Sequence, residues 1–136
     1  MQTSNYIISD DPSLLDIDFI VHSLHSTYWA GDRPRDMIIE SIRCSLCLGA
    51  YCAKQQVGFA RVVTDGVTFS WLCDVFTDPL HRSQGLGKRL VAEVIRHPKI
   101  GQTRIYLATR DAHGLYEKFG FMPREVMFRN DLPYYE

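Results

Sequence analysis

The passage from residue 67 to residue 96 limits the fold more than any other. VTFSWLCDVFT (67–77) is apolar and β-branched enough for a long central strand, and Asp78-Pro79 stops it. HRSQGLGKRL (81–90) follows, with Gly85 and Gly87 two apart among Arg82, Lys88 and Arg89. Leu90, Val91, Val94 and Ile95 then form one apolar helical stripe, which His97-Pro98 ends. A glycine stretch between a buried strand and a helix leaves unpaired N–H groups at the positive end of a helix dipole. Glycines let an anion approach the backbone, and the cations add positive charge, so pyrophosphate is the natural guest. The plainer alternative is that the two glycines only make a tight turn. G-x-x-x-x-G-K-[ST] is absent, so this is not a nucleotide P-loop. No G-x-G-x-x-G follows the first strand with an acidic residue ~20 positions on, which argues against a dinucleotide fold.

The rest of the chain supplies the sheet and its covers. SNYIIS (4–9) reads as a short strand, and DDP (10–12) offers a helix start. Leu14, Ile17, Ile20, Val21 and Leu24 recur at helical spacing as far as about Ser26. STYWAGDRPRD (26–36) is a loop broken by Gly31 and Pro34. Asp36 is a cap for a second helix whose apolar side carries Met37, Ile38, Ile42 and Leu46. Strands are expected at 48–53 and 57–64, joined across Lys54-Gln55-Gln56, with Asp65-Gly66 as the next turn. RIYLAT (104–109) is a further strand. A short helix around 112–119 ends at Gly120, and FMPREVMFRN reads as a last strand or hairpin. A meander followed by strand–helix–strand–helix–strand predicts a single α+β domain, a mixed sheet covered on both faces.

Composition narrows the function. The 136 residues are one domain's worth, and a net charge of −1 implies no general affinity for nucleic acid or membrane. No apolar run approaches the ~20 residues of a membrane span. MQTSNYIISDDP lacks the basic and apolar regions of a secretory signal, so the expected location is cytoplasmic. Cys44 and Cys47 stand in C-x-x-C spacing, but Cys52 and Cys73 are isolated and no His completes a zinc pattern. Packing is the expected role of these thiols, and no metal is expected.

Arg82-Ser83-Gln84-Gly85-Leu86-Gly87 matches [RQ]-x-x-G-x-[GA], and Leu115-Tyr116-Glu117-Lys118-Phe119-Gly120-Phe121 matches L-Y-E-K-x-G-F. With Asp74-Val75-Phe76-Thr77-Asp78-Pro79 as a fourth strand and its exit, the sequence resembles the GNAT superfamily of N-acetyltransferases over nearly all its length. The resemblance implies a mostly antiparallel mixed sheet whose fourth and fifth strands splay apart, a β-bulge being the usual device. It implies acetyl-CoA as acyl donor, its pyrophosphate on the amides of Arg82, Ser83, Gln84, Gly85, Leu86, Gly87 and Lys88. The pantetheine arm would pair with the backbone of Phe76 and Thr77. A free N–H near Val75 or Phe76 would polarise the thioester carbonyl.

Tyr116 matches the family's general acid for the departing thiolate, or it is an aromatic on the inner face of a short helix. Many members carry Asn seven residues before that Tyr, where Thr109 stands here with a shorter reach. Asp111 is a plausible cap for the short helix, and Ala112 and His113 would lie close to the cofactor. Amine acceptors must lose a proton before attack, and a carboxylate, a His or a water chain could take it. Asp74, on the face opposite Val75, is a candidate base or acceptor ligand whose pKa burial would raise. Its alternative is a salt bridge. His22 and His25 read as surface or partly packed. Tyr28, Trp29, Asp32 and Arg33 line the loop expected to border the acceptor, though Tyr28 and Trp29 also suit a core plug. Trp71 reads as core.

The expected activity is transfer of an acetyl group to a primary amine of a small molecule or peptide. The alternatives are a non-catalytic acyl-CoA sensor or a structural protein with a decayed site. The closing PYYE reads as an exposed aromatic tail, a homodimer contact or a sheet-edge cover.

Overall fold

Five strands form one sheet in sequence order: β1 (Tyr6–Ser9), β2 (Leu46–Cys52), β3 (Gln55–Thr64), β4 (Phe69–Thr77) and β5 (Arg104–Leu107). The computed structural model describes residues 5–130, so Ser4 and the PYYE segment lie outside the described residues. The first three pairings are antiparallel and β4–β5 is parallel, which makes the fold α+β with a mixed sheet. The parallel step needs a crossover, and α3 (Leu86–Arg96) provides it. Among the described residues, no helix is long and apolar enough to cross a membrane.

Each face carries its own core. On one side α3 lays Leu86, Leu90 and Val94 against Leu48, Ala50, Val57, Ala60, Val62 and Leu72. Gly58 permits this approach, because a Cβ there would come within 3.1 Å of Ala50 and 3.2 Å of Leu90. On the other side α1 (Ile17–His25) and α2 (Arg35–Arg43) bury Ile20, Val21, Leu24, Ile38 and Ile42 against Cys47 and Phe59. Each such side chain withdrawn from water contributes about 1.5–3 kcal/mol, before the entropy of ordering it.

Several boundaries differ from the sequence expectation. A short 3-10 turn (Pro12–Leu14) separates β1 from α1, because the Asp16 side chain accepts the Phe19 N–H and caps the helix later than the apolar spacing suggests. The second helix starts at Arg35 behind Pro34, not at a cap on Asp36, and it ends at Arg43. Leu46 therefore opens β2 and does not extend the helical stripe. The segment 121–130 forms no strand. Its Met122, Val126, Met127 and Phe128 are exposed, so the strand or hairpin expected there has no sheet face to bury against. Trp71 is only half-buried and lines a cavity, so it is not a closed core residue.

The feature that positions the site is an irregularity in β4. Phe59 pairs with Phe76 and Arg61 with Cys73, so Ala60 faces both Asp74 and Val75. This is a β-bulge, and Asp74 takes the left-handed φ of +52° inside it. The extra residue puts Cys73 and Asp74 on the α1/α2 side and returns Val75 to the α3 side, where it packs on that core. Pairing with β5 ends at Leu72–Leu107, so Cys73–Thr77 stay paired to β3 but have no strand on their β5 side among the described residues. The expected splay is present, and the bulge sits at its apex.

Candidate active site

The floor of the cleft is backbone. Asp78 N–H donates to Val57 O at 2.7 Å, so alternation along β4 turns Phe76 toward β3 as well. Val75 and Thr77 are then the residues whose N–H and C=O face the open edge. This corrects the expectation for Phe76, whose ring packs instead between Phe19 (5.7 Å) and Phe59 (5.6 Å).

Beyond β4, the chain turns through Pro79–His81 into the loop that starts α3. Ser83 and Gly85 adopt positive φ of 65° and 79°, which aims successive amides outward. Among the described residues, the N–H groups of Ser83, Gln84, Gly85, Leu86, Gly87 and Lys88 have no hydrogen-bond partner in the protein. Leu86 is 1% exposed, so its side chain serves the core and only its amide serves the loop. A Cβ on Gly85 or Gly87 would meet nothing within 4 Å. For Gly85 the positive φ already explains glycine. Gly87 has no such constraint and stands in a first helical turn, where Gly costs about 1 kcal/mol relative to Ala. The open space above it fits a group brought from outside, and a diphosphate suits the amide donors.

Two further features suit that anion, and sequence reading missed both. Lys118, just past α4 (His113–Glu117), lies beside Lys88, whose proximity and like charge pull the Lys118 ammonium below the ordinary lysine value. Two ammonium groups set together at a ring of free N–H donors form a strongly anion-attracting cluster. Behind the loop, Tyr6 reaches across from β1. Its hydroxyl donates to Gln84 Oε1 at 3.0 Å and lies 2.7 Å from His81 Nδ1. The hydroxyl has one proton, so His81 must carry the proton on Nδ1 and donate it to Tyr6. Arg89 Nη2 also donates to the Tyr6 carbonyl at 3.3 Å. These partners lie more than 70 positions apart in the chain, and no local pattern signals them.

Tyr116 stands on α4, half-buried against the α3-side core. Burial first, and the neighbouring Tyr28 second, push its phenol above the ordinary value, so it keeps its proton at neutral pH. Thr109 Oγ1 accepts the Ala112 N–H at 2.9 Å and so closes the turn that leads into this helix, whose cap is not Asp111. Ala112 takes the cap position with no side-chain bond of its own, and His113 is exposed. Gly120 closes the turn at φ +87°, with Phe121 N–H donating to Tyr116 O. Thr109, His113 and Tyr116 border a cavity of ≈ 800 Å³, with Trp71, Leu107 and Phe121 also on its wall. This space runs along the free edge of β5 and the 121–128 segment and does not reach the glycine loop.

Asp74 differs from expectation. Its carboxylate is buried, but it is not free: Trp29 Nε1 (3.0 Å), Arg33 Nη1 (2.9 Å) and Arg61 Nε (2.8 Å) all donate to it. Burial alone would raise its pKa. The Arg61 and Arg33 charges and their hydrogen bonds outweigh burial and hold it below the ordinary carboxylate range. A carboxylate so held is a weak base, and the salt-bridge alternative is the arrangement found. Arg33, expected at the acceptor, is buried in this network, with Trp29 partly buried beside it and Tyr28 38% exposed at its rim. His22 is exposed on α1, and His25 Nε2 contacts Arg33 O at 2.8 Å. Cys47 and Cys73 carry thiols pushed up by burial, to about 11 and about 12. Among the described residues, no group of His, Cys, Asp and Glu is arranged to hold a metal.

A splayed β4–β5 pair with a donor-rich loop at the head of the crossover helix defines an acetyltransferase fold, and comparison with known proteins agrees. Residues 43–123 match the Acetyltransferase (GNAT) domain family. A "putative acetyltransferase" of Gibberella zeae is 34% identical over 84% of this chain and 77% of its own length. A crystal structure of a GNAT-family protein from Xanthomonas campestris pv. campestris superposes with a TM-score of 0.89, at 43% identity over 92% of each chain. A predicted acetyltransferase of Clostridium acetobutylicum, crystallised with acetyl-CoA, shares the fold at TM-score 0.66 and 17% identity, over 93% of this chain and 95% of its own. The chain belongs to the GNAT acetyltransferase family.

Proposed function

We propose that this protein transfers an acetyl group from acetyl-CoA to a primary amine by direct attack of the amine on the thioester. The observation that carries the reading is the set of unpartnered amides from Ser83 to Lys88, opening onto empty space at Gly87 and flanked by Lys88 and Lys118. The donor set fits a diphosphate in number and charge. When bound, acetyl-CoA supplies a thioester whose C–S bond breaks as the amine nitrogen bonds to the carbonyl carbon.

The protein's own groups serve that step. The edges of Val75 and Thr77 align an extended amide-bearing arm as an added strand would align. The Val75 N–H, freed by the bulge, stabilises negative charge on the carbonyl oxygen. Tyr116 gives its phenolic proton to the departing sulfur and regains one from solvent. The proton lost by the amine leaves through water at the cleft mouth, since the Asp74 carboxylate is engaged by Arg33 and Arg61.

Thermal denaturation with acetyl-CoA tests binding, because a ligand that binds only the folded state raises Tm. Thiol release with an amine panel tests turnover. Tyr116→Phe should keep cofactor affinity and lower kcat about 10²-fold or more, the usual worth of a general acid. Tight binding with no amine ever acetylated would make the protein an acyl-CoA sensor instead. No binding at all would make the site vestigial.

A further inference from the structure

The acceptor side of the cleft holds a cation with no assigned work. Arg110, in the connection between β5 and α4, lies with its guanidinium carbon 3.6 Å from the centroid of the Tyr28 ring. Tyr28 stands edge-on to Trp29 at 5.0 Å, and Trp29 Nε1 donates to Asp74 in the bulge. Tyr28 is also close enough to Tyr116 to raise its pKa. A chain of contacts therefore links Arg110 through Tyr28 to the proposed acid on one side and to the apex of the splay on the other. The Tyr28–Arg110 pair bridges the 26–34 loop and the β5–α4 loop across the mouth of the cleft.

Stacking holds a guanidinium by its face and leaves its N–H edge to other partners. Among the described residues, no carboxylate lies within ion-pair reach of Arg110. Asp32 and Asp111, close in the sequence to either side of the bridge, are exposed and make no ion pair with it. The buried acid nearby, Asp74, is already matched by two guanidiniums. The mouth is thus lined by an oriented planar cation, with its acid already spent on other partners.

Building on the acetyltransferase reading above, we propose that Arg110 is a specificity-determining residue, and that the acceptor is a primary amine that also carries a carboxylate, as in an amino acid. The planar fork of Arg110 accepts a carboxylate through two parallel N–H donors. Tyr28 fixes the orientation of that fork, and the amine end of the acceptor is thereby led toward Val75 and Tyr116. A polyamine would meet like charge at the same place.

The test pairs each of several amino acids with its own carboxamide, with spermidine as a cationic comparison. Thiol release is followed in the wild type, Arg110→Gln and Arg110→Lys. Wild type should favour the free acids over their amides by about 10- to 100-fold in kcat/KM, the usual worth of a charged hydrogen-bonded pair. In Arg110→Gln that ratio should fall close to one, through a higher KM for the acids, and Arg110→Lys should recover part of it. A wild-type preference for amides or spermidine, or an acid preference that survives Arg110→Gln, overturns the assignment and leaves the acetyltransferase reading standing. Acetyl-CoA binding with no transfer to any amine overturns both.

Discussion

The two ends of the cleft are built differently. The donor end rests on a packed helix: α3 is pinned by fully buried Leu90, Val91 and Val94, and its leading loop is braced from β1 by Tyr6. The acceptor end rests on connections: the 26–34 loop, the β5–α4 loop and a four-residue β5 with no strand on its outer side among the described residues. In the proposed reaction one end holds a fixed, shared group, and backbone amides suit that task. The other end would then meet the variable partner, with loops setting its chemistry. The Asp74 bulge joins the two ends, because it creates the splay and anchors Trp29 and Arg33 from the acceptor loop.

That role makes Asp74 the place where the contrast is most easily broken. Asp74→Asn removes the charge that matches two buried guanidiniums, and unfolding by urea should show a loss of about 3–5 kcal/mol. The pH dependence has a definite sign. The Asp74 pKa is depressed in the folded state, so its stabilisation is present above the unfolded carboxylate value, near 3.9, and is lost as pH falls. The gap between wild type and Asp74→Asn should therefore be widest at neutral pH and close in acid.

A second change separates binding from stability. Gly87→Ala adds a methyl group that touches no protein atom within 4 Å and favours the helix. The free protein should gain up to about 1 kcal/mol. Affinity for CoA, read by calorimetry, should fall by about tenfold, because the methyl group fills the approach to the amides. A parallel gain in both would show that Gly87 serves only the turn.

A smaller effect is expected behind the loop. Tyr6→Phe deletes the hydroxyl that orients Gln84 and His81. CoA affinity should weaken by about fivefold, on the order of one neutral hydrogen bond, with acetyl-transfer chemistry per bound cofactor little changed. A drop in kcat without a change in affinity would move Tyr6 from bracing the loop to some other task.

Local signals carried the architecture well. The apolar stripe of α3, the glycine loop and the alternating strands were all readable, because each is written within one turn or one pleat of the chain. Contacts between distant segments were not. Asp74 appeared as a lone acid among apolar residues, and nothing near it announces Arg61 or Arg33, which the bulge and the 26–34 loop bring to it. Lys118 appeared as one letter of a motif until α4 set it beside Lys88. The apolar tail suggested a last strand or hairpin, but such a segment forms one only where a sheet edge and a face to bury are both at hand. Of the candidate site, resemblance singled out the loop and Tyr116, whereas the Tyr28–Arg110 bridge and the Tyr6 brace depend on tertiary placement.

The account stands on main-chain donors gripping a diphosphate. Backbone amide NMR shifts, titrated with CoA and separately with pantetheine, test this most directly. The expected result is large shifts at Ser83 through Lys88 with CoA and small ones there with pantetheine, which lacks the diphosphate. Shifts at those amides that are equal for both ligands, or absent with CoA while other regions respond, would contradict it.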